Sequence, residues 1–286
     1  MGQLRQLCAD RVTSGTTGEL YEGLGRLFEC VRPYLPKRRQ IRYNSVYVNV
    51  FERPLDWLFP AVSWRAQDKP QYDSGTVDGI REQVSEGDTV VIVGGGFGVT
   101  TVVAARYVGD SGAVITYEAA EGRVHDIRKA AEYDGLSDRV SVLHALVERV
   151  DRSIGEVGDA PAVPPRALPA CDVLVLDCDG PEAKILRDLS IEPRTIVANT
   201  AGRFGSPESA GREALTDLGY RVISRGVIDE GSAEFCHEHG YYTLVAVGEE
   251  RTQEGDADWS REVEERTQVD QVSSPVTGSE VPSTSS

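Results

Sequence analysis

Between residues 71 and 248 short apolar runs alternate with amphipathic ones. Residues 89–93, 113–118 ("AVITYE"), "RVSVLHA" closing at Ala145, 172–177 ("DVLVLD"), 195–199 ("TIVAN"), "YRVIS" from Tyr220 and "YYTLVAV" from Tyr241 have the length and content of strands. "DVLVLD" is apolar on both faces, as a central parallel strand between two helical layers is. The intervening stretches repeat at helical spacing. Val77, Ile80 and Val84 share one face of a helix over 74–85, stopped by Gly87. A second helix covers 99–107. A third, "GRVHDIRKAAEYDG", turns Val124, Ile127 and Ala131 inward and stops at Gly135. Pro181 opens a fourth at the position where a missing N–H costs nothing, and a fifth runs from Ser206-Pro207 to Gly219.

This alternation predicts right-handed crossovers and a doubly wound, mostly parallel, seven-stranded α/β sheet of Rossmann-like type. Only "RGVIDEGSAEFCHEHG" separates the last two strands, with no helix-length pattern, so the final strand is expected to insert antiparallel. Residues 71–248 would be the main domain. Residues 1–70 read as an N-terminal α/β extension: a helix around Gly18 to Val31, a strand in which Val46, Val48 and Val50 alternate with Tyr47 and Asn49, and an aromatic cluster of Trp57, Leu58, Phe59 and Trp64. "GDAPAVPPRALPA" before Cys171 reads as a loop from its prolines. Residues 249–286 are acidic, then Ser/Thr-rich, and read as a disordered tail.

Composition narrows the partners. The 286 residues are 40% hydrophobic and carry a net charge of −16, so nucleic acid, which needs a basic surface, is not an expected partner. The lysines are Lys37, Lys69, Lys129 and Lys184, and every other basic residue is arginine. Acid-rich, lysine-poor usage resembles that of salt-loving archaea, and the excess reads as a solvated surface. No signal peptide and no run near the ~20 apolar residues of a membrane helix are evident. Cys8, Cys30, Cys171, Cys178 and Cys236 are odd in number and scattered, which reads as reduced thiols in a cytoplasmic protein. Oligomeric state has no signature.

Three stretches carry candidate chemistry. In "VVIVGGGFGVT" the first strand runs into Gly94, Gly95, Gly96 and Gly98 and then a helix, so a ligand can lie against bare backbone at a helix N-terminus. Dinucleotide loops favour G-x-G-x-x-G; here the third position is Val99, leaving G-x-G-x-G. Glu118 ends the second strand, about 20 residues past Gly98, where a carboxylate can accept from ribose hydroxyls, beside Ala119. In "VLDCDGPEAKILRDL", Asp177 ends the fourth strand at the carboxyl edge where open α/β sheets bind ligands. Asp179 and Glu182 follow within a turn and are either catalytic carboxylates or acids favoured in a helix's first turn. "FCHEHG" gathers Cys236, His237 and His239, but structural zinc sites usually draw on two such clusters. No second cluster is present, so no metal site is assigned.

Together, strand–GGGFG–helix, "YE" on the second strand and D-x-(D/E)-G-x-E on the fourth resemble the FkbM family of class I methyltransferases, over roughly residues 73–247. The resemblance implies S-adenosyl-L-methionine as methyl donor and O-methylation of a hydroxyl on a sugar or other small molecule, a glycan included. It also implies roles: Gly94, Gly96 and Gly98 toward the amino-acid part of the cofactor, Glu118 on the ribose, His144, Ala145 and Leu146 near the adenine, and Asp177 between cofactor and acceptor, with Asp177, Asp179 and Glu182 as the catalytic candidates. Two positions depart from the pattern. Ile92 stands where many members have an acid before the glycines. "Asn199-Thr200-Ala201-Gly202" stands where many read similarly to "ETHG". Two alternatives therefore stay open: a cofactor-binding protein without turnover, and a nicotinamide-dependent oxidoreductase, against which Val99 argues.

Overall fold

The computed structural model describes residues 39–50, 68–148, 159–178, 180–202 and 205–248. The expected N-terminal helix, the Trp57–Trp64 cluster, Asp179 and the tail lie outside them. The chain forms a hairpin, β1 (Arg39–Tyr43) and β2 (Val46–Val50), and then the alternation α1 (Ser74–Gln83), β3 (Thr89–Val93), α2 (Val99–Tyr107), β4 (Ala113–Glu118), α3 (Glu121–Tyr133), β5 (Val140–His144). The short strands β6 (Leu146–Val147) and β7 (Ala162–Val163) pair in parallel beside it. There follow β8 (Val173–Leu176), α4 (Glu182–Arg187), β9 (Thr195–Ala201), α5 (Glu208–Asp217), β10 (Tyr220–Val227), α6 (Ala233–His239) and β11 (Tyr241–Gly248).

Seven strands make one sheet in the order β10-β11-β9-β8-β3-β4-β5. All run parallel except β11, which is antiparallel to both β9 and β10. The fold is thus the doubly wound, Rossmann-like sheet with its last strand reversed, as the sequence predicts. The cause of the reversal is local. A parallel return needs a crossover that runs back along the length of the sheet, usually a full helix. Between β10 and β11 the chain makes only a turn of 3₁₀ helix and the seven residues of α6, then ends that helix at Gly240 in a left-handed conformation. It re-enters the sheet from the end at which it left.

Alternation along the central strands assigns each side chain to a layer. Val90 and Ile92 of β3 and Val173 and Val175 of β8 pack under α1, α2 and α3 with Val77, Ile80 and Val102. Val91, Val93, Leu174 and Leu176 face the other way, against Ile185 and Leu186 of α4 and Leu215 of α5. Each of these residues is at most 3% exposed. The proline-rich stretch read as a loop supplies β7 and Leu168, which closes the second layer beside β5. Two residues are too few to show a period, so the pattern could not announce that strand.

Val46 and Val48 are buried as the alternation in "SVYVNVF" predicts, and their partner β1 adds Ile41 and Tyr43 to the same face. Asn44 and Ser45 join the two strands with φ of 45° and 68°, the pair of left-handed residues that a two-residue hairpin turn requires. Asn44 is buried and links three segments: its backbone N–H donates to Lys69 O (2.9 Å), its amide N–H to Tyr72 O (3.1 Å), and its Oδ1 accepts from Arg81 (3.0 Å). Tyr43 then stacks on Tyr72 at 4.6 Å, and both meet Phe97 of the glycine loop edge-on. No helix among the described residues is long and apolar enough to cross a membrane.

Burial raises the Tyr43 phenol to about 12, with Arg123 opposing. The unfolded phenol ionises near 10. Below pH 10 both states are neutral and stability is independent of this group; from 10 towards 12 only the unfolded chain ionises, so stability falls. Melting temperature measured across pH 9–12 should decline in that window, and Tyr43→Phe should flatten the decline.

Candidate functional site

The carboxyl ends of β3, β4 and β8 converge on the glycine loop. Its four glycines serve different purposes. Gly94 (φ 93°) lies so close to the end of β8 that a Cβ would stand 1.9 Å from the carbonyl oxygen of Asp177. A Cβ on Gly95 would meet Ile127 at 2.4 Å and Thr116 at 2.6 Å, and one on Gly98 would meet Ala130 and Ile127 at 3.0 Å. These three let β8 and α3 approach. Gly96 (φ 53°) is the one whose Cβ would meet nothing within 4 Å. Of the glycines expected to face a ligand, Gly96 alone opens onto space. Phe97 points the other way, 4% exposed, with the Arg123 guanidinium 3.9 Å over its ring.

Glu118 ends β4, 9% exposed, and fastens the loop. Its Oε2 accepts from the N–H of Gly95 (3.1 Å) and of Gly96 (3.0 Å), and its Oε1 from Ala120 N–H (2.8 Å). A carboxylate has about four acceptor positions, so three are filled and there is room at Oε1 for one further donor. His144 pairs with Glu118 across β4 and β5. Its Nε2 stands 3.1 Å from Ala119 O, and because a carbonyl only accepts, Nε2 carries the hydrogen. Ala145 is buried, and its N–H donates to Glu118 O at 3.0 Å. The structure therefore gathers Gly96, Glu118, Ala119, His144 and Ala145 along one stretch of the sheet edge.

Asp177 stands across the loop from them, its N–H bonded to Val93 O (2.8 Å). Its Oδ1 accepts from Asn199 Nδ2 at 2.7 Å. Asn199 is 3% exposed, and its own Oδ1 accepts from the hydroxyls of Thr243 (2.7 Å) and Thr76 (3.0 Å), both buried. Tyr72, at the entry to α1, is buried nearby. Burial first, then Asp73 and Asp177, hold its phenol well above the ordinary value, with Arg123 opposing. Asp73 itself adopts a left-handed φ of 49° as the N-cap of α1. Such backbone in a non-glycine residue costs of order 1 kcal/mol and tends to cluster at functional sites.

Glu182 is 1% exposed. Its two oxygens accept the N–H groups of Gly180 (2.8 Å) and Cys178 (3.2 Å), so the carboxylate folds back onto the "DCDG" loop and shapes it. Ile92 is fully buried in the layer under α1 and α2. An acid there would have to lie in apolar surroundings, at a cost of several kcal/mol. The Cys236, His237 and His239 side chains part company: Cys236 Sγ faces Asp229 O, His237 faces the Tyr242 hydroxyl, and His239 stacks on Phe235 at 4.0 Å. Thr76, Thr243 and Tyr72 were absent from the sequence reading. The available signal was a threonine inside each of two otherwise buried faces, which spacing alone does not separate from packing.

No family model and no curated protein matches the chain. Among solved structures it is similar to a ribosomal protein L11 methylase of Lactobacillus delbrueckii subsp. bulgaricus (12% identity over 63% of this chain and 79% of that one, TM-score 0.44). It is also similar to a SAM-dependent O-methyltransferase of Thermotoga maritima (18%, 73% and 77%, TM-score 0.44). A third is fibrillarin of Aeropyrum pernix with natively bound S-adenosyl-L-methionine (17%, 58% and 68%, TM-score 0.39). At these identities and scores the likeness fixes neither ligand nor reaction for this chain.

Gly94→Ala should cost on the order of 3 kcal/mol or more in urea unfolding, since it adds a clash to a strained φ. Gly96→Ala, with positive φ but open space, should cost only about 1–2 kcal/mol.

Proposed function

We propose that the chain is an S-adenosyl-L-methionine-dependent methyltransferase that resembles the FkbM type and transfers the methyl to a hydroxyl of a sugar or other small molecule. The observation that carries this reading is the pairing of Glu118 with Gly96: a carboxylate with one acceptor position left, beside the one loop glycine that opens onto space. A nucleoside with a ribose hydroxyl fits that pair. Val99 in place of the third dinucleotide glycine speaks against a nicotinamide cofactor. A net charge of −16 supports a small acceptor over nucleic acid and a cytoplasmic setting agrees with the scattered thiols.

When bound, the donor supplies an electrophilic methyl on a sulfonium. The chain has to orient the two partners and deal with the acceptor's proton. Glu118 would take one ribose hydroxyl at Oε1, and Ala119, His144 and Ala145 would border the base. Asp177 is the proposed general base, placed at the strand end between the loop and the acceptor side. Asp179, two residues on in the sequence, is the second candidate. Glu182 accepts the N–H groups of Cys178 and Gly180, so its role in this reading is to brace the backbone just after Asp177 and not to move a proton.

Calorimetry tests the binding half. S-adenosylhomocysteine should bind and NAD(H) should not; the reverse result would make the chain an oxidoreductase candidate. Glu118→Gln should weaken S-adenosylhomocysteine about tenfold or more through the lost charged hydrogen bonds. Labelled methyl offered with a panel of hydroxylated sugars tests the rest. Asp177→Asn should lower transfer by roughly 10²–10⁴ while keeping cofactor affinity. Binding with no transfer to any acceptor would favour a cofactor-binding protein without turnover.

A further inference from the structure

Asn199 lies near the end of β9, two residues before its last, at a place where the pattern of the resembling family would put an acid. The structure shows what the amide does there. Its Nδ2 lies 2.7 Å from Asp177 Oδ1, while its Oδ1 receives Thr243 at 2.7 Å and Thr76 at 3.0 Å. The atom facing the Asp177 carboxyl is the NH₂ group, which can only donate. That leaves Oδ1 facing the two threonines, whose hydroxyls donate. The chain of hydrogen bonds then has one sense: Thr243 and Thr76 donate to the Asn199 carbonyl, and the Asn199 NH₂ group donates to Asp177. The opposite sense, with a protonated Asp177 donating, requires the amide turned over.

We propose that Asn199 is a positioning residue: its amide aims one oxygen of Asp177 and keeps that side chain an anion, and Thr76 and Thr243 hold the amide in the orientation that does so. The functional meaning rests on the methyltransferase reading, in which Asp177 must arrive unprotonated to take a proton; the geometry does not. The groups around Asp177 make the support useful. Tyr72 and Asp73 lie at the entry to α1, with Arg123 acting on Tyr72; Cys178 follows Asp177 on its loop, and Glu182 opens α4. The glycine loop, β9 and β11 contribute no charged side chain among the described residues that make this cluster. The Asn199 N–H group is a donor that favours the Asp177 anion. An acid at position 199 would bring a second carboxylate to the same 2.7 Å, where two anions cannot both persist without sharing a proton.

The test reads ionisation directly and needs no acceptor. The full chain is labelled at aspartate ¹³Cγ, the Asp177 signal is assigned from Asp177→Asn, and chemical shift is followed from pH 3 to 8. Asp177 should be anionic throughout the neutral range and titrate no higher than an ordinary aspartate, near 3.9. Asn199→Asp should give a coupled pair with one midpoint raised by roughly 1–3 pH units. Asn199→Ala, which removes the donor without adding charge, should raise the Asp177 midpoint as well and serves if the Asp variant does not fold. Thr243→Val should move it in the same direction by less. A protonated Asp177 at neutral pH in the unaltered chain overturns the proposal. An Asp177 midpoint indifferent to Asn199→Ala overturns it too. Calorimetry with S-adenosylhomocysteine on the unaltered chain separates the two readings. Binding together with an indifferent Asp177 sinks this inference alone. No binding sinks the methyltransferase reading and leaves the titration result to be judged by itself.

Discussion

The carboxyl edge of the sheet depends on how closely β3 and β8 end beside one another. Gly94 and Asp177 come so near that no side-chain atom fits between them. Neighbouring strands leave to opposite faces at this point, β3 toward α2 and β8 toward α4, and the divergence opens a crevice in sheets of this kind. Gly94 brings the two edges together; Gly96 then turns the bare backbone outward over the gap. The close approach also brings Asp177 beside the first glycine of the loop that Glu118 fastens through Gly95 and Gly96.

Both carboxylates accept hydrogen bonds from neutral groups. Glu118 takes three backbone N–H groups, and Asp177 takes the Asn199 amide, which two buried threonines brace. Polar groups this deep are costly unless each finds a partner, and when satisfied they specify one arrangement strongly. The threonine-backed amide crosses three elements, α1, β9 and β11. The reversed final strand is therefore part of the site: Thr243 reaches Asn199 because β11 sits directly beside β9, where Thr243 and Asn199 are register partners.

The main sheet was legible because its strands are long enough to show a period and its helices have clear stops. Glycines 87, 135 and 219 end helices in the sequence and adopt positive φ in the structure. The reversal of the last strand could be read from the shortness of the segment before it. What could not be read was anything lacking a repeat: β1 and the two-residue β6 and β7. For the site, sequence placed Asp177, Glu118 and the glycines at strand ends but could not say which way an oxygen points. Glu182 reads identically as a catalytic acid or as a loop cap until its bonds to Cys178 and Gly180 are seen. Asn199 looked like a missing acid. It is one donor in a chain that no spacing rule describes, because its partners lie 123 and 44 residues away.

The hairpin turn at Asn44 and Ser45 has a consequence for how this chain can diverge. Asn44 bonds to Lys69, Tyr72 and Arg81, and Tyr43 stacks on Tyr72 above Phe97. Groups that share partners so closely do not change independently in energy. Recombination that swapped the leading segment for that of a distant cousin would have to carry Tyr43, Asn44, Tyr72 and Arg81 together, or leave a buried amide stranded beside the glycine loop. Inheritance of the hairpin and inheritance of the loop are in this sense a single event.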